Sequence, residues 1–153
     1  MLGDVVAAAL EVGRVLVVTN DLAAVPPSAE HVPDPGAGLD AAVASGLAAV
    51  SGHALVVNAD LPAATPAAIR QLAVAGLALV EAADGTTNAL SLPDPAGFTP
   101  SYGPGSASRY RASAPFVTER IPQLEADVDT LDDLERLAAL LGPRTRSLLA
   151  VPA

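Results

Sequence analysis

A doubly wound α/β sheet is the fold this sequence predicts, and three observations predict it. Short apolar runs recur at Val15-Leu16-Val17-Val18, Ala54-Leu55-Val56-Val57 and Leu77 to Glu81, as expected of strands buried on both faces. Ala/Leu-rich helical stretches alternate with them, the arrangement that wraps helices around a parallel sheet. Turn and cap residues such as Gly13, Thr65-Pro66 and Gly142-Pro143 fall between the stretches, where chain reversals need them.

The elements follow in order. Asp4 to Val12 reads as a helix that Gly13 ends, and Val15 to Val18 as the first strand, closed by Asn20-Asp21. Val25 to Gly38 is a Pro/Gly/Asp-rich loop with a short strand near His31-Val32. Leu39 to Val50 is helical, and Ala54 to Val57 is a second buried strand. Thr65 is placed to cap a helix that has Pro66 at its first position and runs through Val74. Leu77 to Glu81 is a third strand, and Asp84-Gly85 turns the chain into a fourth at Thr87 to Leu92. Pro93 to Gly105 is loop, and Ser106 to Ala114 a short helix. Asp127-Val128-Asp129-Thr130 leads into a helix from Leu131 to Leu141, with Asp129 the favoured cap. Thr145 to Ala150 is a short terminal helix. No repeat or linker interrupts the chain, so residues 1–153 read as one domain.

Composition narrows the function. The chain has 153 residues and a net charge of −9. All basic residues are arginines, and that balance argues against a nucleic-acid surface. Cysteine is absent, which removes disulfides and thiolate chemistry. The start carries no signal-peptide pattern, and a cytoplasmic location is expected. Residues 41–59 carry no formal charge, but Ser45, Gly46, Ser51, Gly52, His53 and Asn58 interrupt them. They read as a helix, a turn and a strand rather than a membrane span.

Four stretches carry candidate chemistry. Asp60 follows a buried strand, and ligands bind at that edge of open α/β sheets. A carboxylate there suits Mg2+ against a polyphosphate, or else it caps the turn before Pro62. Asp127 and Asp129 would share one face if extended, and Asp127 has no evident structural task. Asp84-Gly85-Thr86-Thr87-Asn88 joins a turn to small hydroxyl residues, which fits either a hairpin or an anion contact. Tyr102-Gly103-Pro104-Gly105-Ser106, with Arg109 and Arg111 following, brings a rigid loop to a helix N-terminus, which favours an anion site. His31 and His53 have no visible partner and receive no role.

In this order the stretches resemble the phospholactate/phosphoenolpyruvate guanylyltransferase family of coenzyme F-420 biosynthesis, a branch of the molybdenum-cofactor-type nucleotidyltransferases. The matching residues are 56–62, 85–90, 102–106 with Arg109, and 127–130 with Asp133-Leu134. The loop Gly36-Ala37-Gly38-Leu39 is similar to the family's nucleotide-base loop. The resemblance implies a three-layer Rossmann-like nucleotidyltransferase domain with a mostly parallel sheet. It implies transfer of the guanylyl group of GTP to phosphoenolpyruvate or 2-phospho-L-lactate, with release of pyrophosphate. It places Mg2+ at Asp60 and Asp127, the phosphorylated acid at Thr87, Gly103 and Ser106, and the nucleotide at Gly38 and Leu39. Residues 1–5 align inside the first helix, so the first strand and its Lys/Arg phosphate loop are expected to be missing. Asp40 and Tyr110 stand where relatives often carry Asn and His. The competing expectations are a truncated remnant that only binds a phosphorylated acid, and a nucleotidyltransferase for a sugar phosphate or molybdopterin.

Overall fold

The computed structural model describes residues 1–149. Helix α1 (Leu2–Leu10) opens the chain and buries Val5, Val6 and Ala8. Strand β1 (Leu16–Val18) is followed by a single 3-10 turn at Leu22–Ala24, which the Asp21 side chain caps. Strand β2 is Glu30–Val32 and helix α2 is Leu39–Leu47. Strand β3 (Ala54–Val57) leads to helix α3 (Pro66–Ala73). Strands β4 (Ala78–Glu81) and β5 (Thr87–Leu92) form the hairpin expected from Asp84-Gly85. Helix α4 (Ser106–Ser113), strand β6 (Val117–Thr118) and helices α5 (Pro122–Glu125), α6 (Leu131–Arg136) and α7 (Pro143–Leu149) complete it.

The α/β class holds, but the strand pairing departs from a mostly parallel sheet. β1 and β2 pair in parallel as a sheet of two. The other sheet has the order β3-β5-β4-β6. The tight turn after β4 reverses the chain, so β5 runs antiparallel to β4 and inserts beside β3. β3, β4 and β6 therefore share one direction, and β5 alone opposes them. All six residues of β5 are buried, which suits a central strand.

Alternation along the strands builds two cores. Ala78, Val80 and Ala89 face Val5, Leu61, Ile69, Leu72, Ile121 and Leu124. Leu79, Leu90 and Leu92 face Ala107, Tyr110 and Phe116 on the other side. This is the period of two expected of pleated strands, and it sandwiches the sheet between helices.

No backbone ladder joins the two sheets. Between β1 and β3 lies a cavity of about 990 Å3, lined by Val15 to Val18 and Ala54 to Val57 and covered by apolar residues of α1 and α2. Its lining also includes Asn58 and Asp60.

Several local expectations change. Thr130, not Asp129, caps α6, because its hydroxyl accepts from Asp133 N while the Asp133 carboxylate accepts from Thr130 N. α6 ends at Arg136 rather than Leu141; from Leu137 the chain turns so that Gly142 N reaches Pro62 O at 2.8 Å. α2 stops at Leu47 rather than Val50, where 3-10-type bonds tighten its end. α7 starts at Pro143, a residue suited to the first helical position; Ala150, placed in the terminal helix by the sequence, lies outside the described residues.

The α7 start is held from far along the chain. Buried Asp4 accepts from Arg144 N (3.0 Å), Thr145 N (2.8 Å) and the Thr145 hydroxyl (2.6 Å). Burial pushes this carboxyl up, but the three hydrogen bonds outweigh burial and hold it below the ordinary aspartate value. Its folded pKa is thus depressed. The stability it contributes is full above the unfolded value and is lost as pH falls through the folded one. Asp4→Ala is expected to cost about 2–3 kcal/mol at neutral pH, and a smaller difference in acid; denaturant titrations at both pH values check this. Gly142→Ala should also destabilise, since a Cβ there would collide with the Asp4 carboxyl carbon.

Candidate active site at the sheet edge

β3 and β4 end, and β5 begins, at one edge of the four-stranded sheet. β3 carries the chain out through Asn58 to Asp60. The segment 127–129 belongs to no strand ladder but is fixed at this edge by Val128 N donating to Asp60 O at 3.1 Å. Asp60 and Asp127 are therefore brought together.

Their charges report the same proximity. Burial raises the Asp60 carboxyl above the ordinary value, and the charge of Asp129 adds to it. Burial also raises Asp127, with further repulsion from Asp129, Asp60 and Asp84. Oδ1 of Asp60 is buried and has no hydrogen-bond partner among the described residues. A buried, unpartnered carboxylate oxygen beside a second carboxylate is a donor set that a hard cation satisfies. Among the described residues no group of three or more acidic or histidine side chains is placed to hold a metal. Two carboxylates with substrate oxygens and water is the mode by which Mg2+ is commonly held.

Asn58 and Asn88 brace this edge. Asn58 Nδ2 donates to Thr87 O, and its N–H to Asn88 O. Asn88, buried in β5, donates from Nδ2 to Glu125 O at 3.1 Å and so anchors the chain just before Asp127. The sequence reading assigned neither residue this task. The available signal was an Asn just after one buried strand and another near the start of the next, since a buried amide requires partners.

The second group lies beside the first. Ser106 opens α4, is fully buried and donates to the Thr87 hydroxyl at 3.0 Å. Ser106 N bonds Gly103 O, and Ala107 N bonds Gly85 O. Thr87, Gly103 and Ser106 thus form one connected cluster. Gly103 has φ +99°, and a Cβ there would meet nothing within 4 Å. The space beside its Cα is open, and the two buried hydroxyls are bonded to each other.

Both arginines are engaged by protein partners. Arg109 donates to the Ser101 hydroxyl (2.9 Å) and to the carbonyls of Ser101 (3.0 Å), Tyr102 (2.8 Å) and Pro104. It clamps the Gly-Pro-Gly loop that precedes its own helix. Arg111 pairs with Glu81 at 2.7 Å. Gly38 stands at the start of α2 with φ +92°, and Leu39 beside it is half exposed. Asp40, in the first turn of α2, accepts from Tyr102 N at 2.6 Å, which brings the α2 start against the loop. His31 and His53 hydrogen-bond Thr19 O and the Ser91 hydroxyl.

No family profile matches the chain. Curated proteins do. A phosphoenolpyruvate guanylyltransferase of Geodermatophilus obscurus is 41% identical over 97% of this chain and 76% of its own length. One of Streptomyces scabiei is 36% identical, covering 96% of this chain and 80% of the relative. One of Roseiflexus castenholzii is 35% identical, covering 98% and 78%. No helix among the described residues is long and apolar enough to cross a membrane.

Proposed function

The chain belongs to the phosphoenolpyruvate guanylyltransferase family, and on that premise we propose that it joins the guanylyl group of GTP to phosphoenolpyruvate and releases pyrophosphate. One observation carries the placement of the site. The carboxylate pair Asp60/Asp127 and the cluster Thr87/Gly103/Ser106 meet at a single sheet edge, where one face can hold a triphosphate and the neighbouring face a phosphorylated acid.

The chemistry asks little of a proton carrier. A phosphate oxygen of phosphoenolpyruvate attacks the α-phosphorus of GTP, a new P–O bond forms, and the bond to the β-phosphate breaks with its electrons leaving on pyrophosphate. The attacking oxygen is already anionic, so alignment and charge stabilisation decide the rate. Asp60 and Asp127 would hold Mg2+, which neutralises the triphosphate and the developing pyrophosphate when bound. Thr87 and Ser106 would lend their hydroxyls to the acid, and Gly103 would let its phosphate approach the backbone. Gly38 and Leu39 would lie against the nucleotide, the glycine allowing contact and the exposed leucine giving an apolar surface. The product would feed coenzyme F-420 assembly. Use of these two metabolites implies the cytoplasm.

Pyrophosphate release from GTP is the test, with phosphoenolpyruvate and 2-phospho-L-lactate supplied separately. Release with phosphoenolpyruvate is expected; release with neither acid would overturn the reading. Ser106→Ala should weaken phosphoenolpyruvate binding by about 1–2 kcal/mol. Unchanged affinity by calorimetry would remove Ser106 from the acid site.

A further inference from the structure

Residues 14–50, which contain β1, β2 and α2, share no backbone ladder with the four-stranded sheet. Their polar contacts are almost all internal. Arg14 pairs with Glu30 and reaches Ala49 O, His31 bonds Thr19 O, and Ser45 bonds Pro33 O. Among the described residues, one hydrogen bond beyond the chain junctions ties this segment to the rest, that from Tyr102 N to Asp40 Oδ1.

The loop at the other end of that bond shows a matching asymmetry. Its remaining polar ties come from within the loop or from the helix that follows it. The Tyr110 hydroxyl accepts from Ser101 N, Arg109 holds three of its carbonyls, and Ser106 N bonds Gly103 O. The Tyr102 hydroxyl is buried but unpartnered, so its backbone N–H is the polar handle by which α2 can hold the loop.

We propose that Asp40 is a positioning residue that couples nucleotide binding at Gly38–Leu39 to the acid pocket at Gly103–Ser106 through this bond. The coupling presupposes the guanylyl-transfer reading and names how its two substrates sense each other. Asp40 lies two residues after Gly38, and Tyr102 immediately precedes Gly103. A nucleotide that orders the α2 start orders the carboxylate, and the carboxylate orders the loop. By linkage, the acid strengthens nucleotide binding by the same factor.

Steady-state kinetics on the full chain test this, with pyrophosphate release measured over a grid of GTP and phosphoenolpyruvate concentrations. In the wild type, saturating GTP is expected to lower KM for phosphoenolpyruvate about tenfold, within the usual range of coupling. Asp40→Ala is expected to abolish that dependence. Asp40→Asn should restore most of it, because the amide oxygen still accepts the Tyr102 N–H. Amide exchange of residues 101–106, followed by mass spectrometry, should quicken in Asp40→Ala and not in Asp40→Asn. A role limited to the α2 dipole would lower the melting temperature of both variants alike and leave the KM dependence intact. A wild type whose KM ignores GTP, or an Asp40→Ala variant that keeps both the dependence and the slow exchange, would overturn the coupling. A wild type that releases no pyrophosphate with phosphoenolpyruvate overturns the guanylyl-transfer reading instead. The exchange comparison then decides separately whether Asp40 holds the loop, and equal exchange in the two variants rejects that too.

Discussion

Asp60→Asn is expected to lower kcat for pyrophosphate release by about a thousandfold, the upper scale for removing one electrostatic contact at a reacting phosphorus or carbonyl, while making the ligand-free protein more stable. The two effects have one cause. Asp60 and Asp127 are held together at the sheet edge; burial raises both carboxyls, with added repulsion from Asp129 on Asp60 and from Asp129, Asp60 and Asp84 on Asp127. Between the ordinary carboxylate value and the raised native one, the folded protein holds more protons than the unfolded chain. Stability therefore falls as pH rises through that window and stays lowered at neutral pH. An amide at position 60 removes the repulsion and the penalty on the buried charge. Its melting temperature should rise by about 2–4 °C for each kcal/mol relieved. Mg2+ should raise the melting temperature of the wild type and leave that of the Asp60→Asn/Asp127→Asn double variant unmoved. The double variant should be scarcely slower than either single one, because the two carboxylates act as a unit. Retention of more than about a tenth of wild-type kcat in Asp60→Asn would remove Asp60 from the reaction.

Arg109→Ala is expected to lower kcat/KM for phosphoenolpyruvate about a hundredfold, equivalent to roughly 2.7 kcal/mol, with little change in overall stability. The arginine is exposed, so its removal leaves no cavity. What it removes is the clamp on Ser101, Tyr102 and Pro104. The loop around Gly103 would then have to be ordered by the substrate, at the entropic cost of fixing several backbone residues. Arg109→Lys should rescue poorly, because one ammonium cannot reproduce the planar fork that reaches several carbonyls at once. A direct contact between Arg109 and the substrate would also lower kcat/KM, but it would leave loop exchange unchanged in the absence of substrate. Faster exchange of residues 101–105 in the free Arg109→Ala protein is therefore expected, and its absence would argue for direct contact.

The positions of β1, β3 and β4 were legible because short apolar runs stand between turn residues, whereas the two-residue β6 went unread; the Thr65-Pro66 start of α3 was legible for the same local reason. Thr65 accepts from Ala68 N as its place predicts. Strand order was not legible. That β5 lies between β3 and β4 depends on a return path after the hairpin, not on any property of residues 87–92 alone. At the site, the ends of buried strands pointed to Asp60, and small hydroxyls beside glycines pointed to Thr87 and Ser106. The protein partners of the arginines were not legible, because a charge in sequence carries no sign of its partner. Arg111 finds Glu81, and Arg109 turns back on its own loop. Asp4 was unreadable for a related reason, since its partners lie at the far end of the chain.

The gap between β1 and β3 also bears on how the fold comes apart. Cooperative unfolding requires that opening one part strips the others of their contacts. Here β3, β4 and β5 share ladders and pack into both cores, and β6 is laddered to β4, so the three central strands cannot part without exposing one another. Residues 14–50 are linked to that body by side-chain packing and by Asp40, with no ladder across the cavity. The smaller sheet and α2 form a separable unit that can open below the global unfolding free energy. In denaturant this chain would pass through a partly folded species rather than melt in a single two-state step.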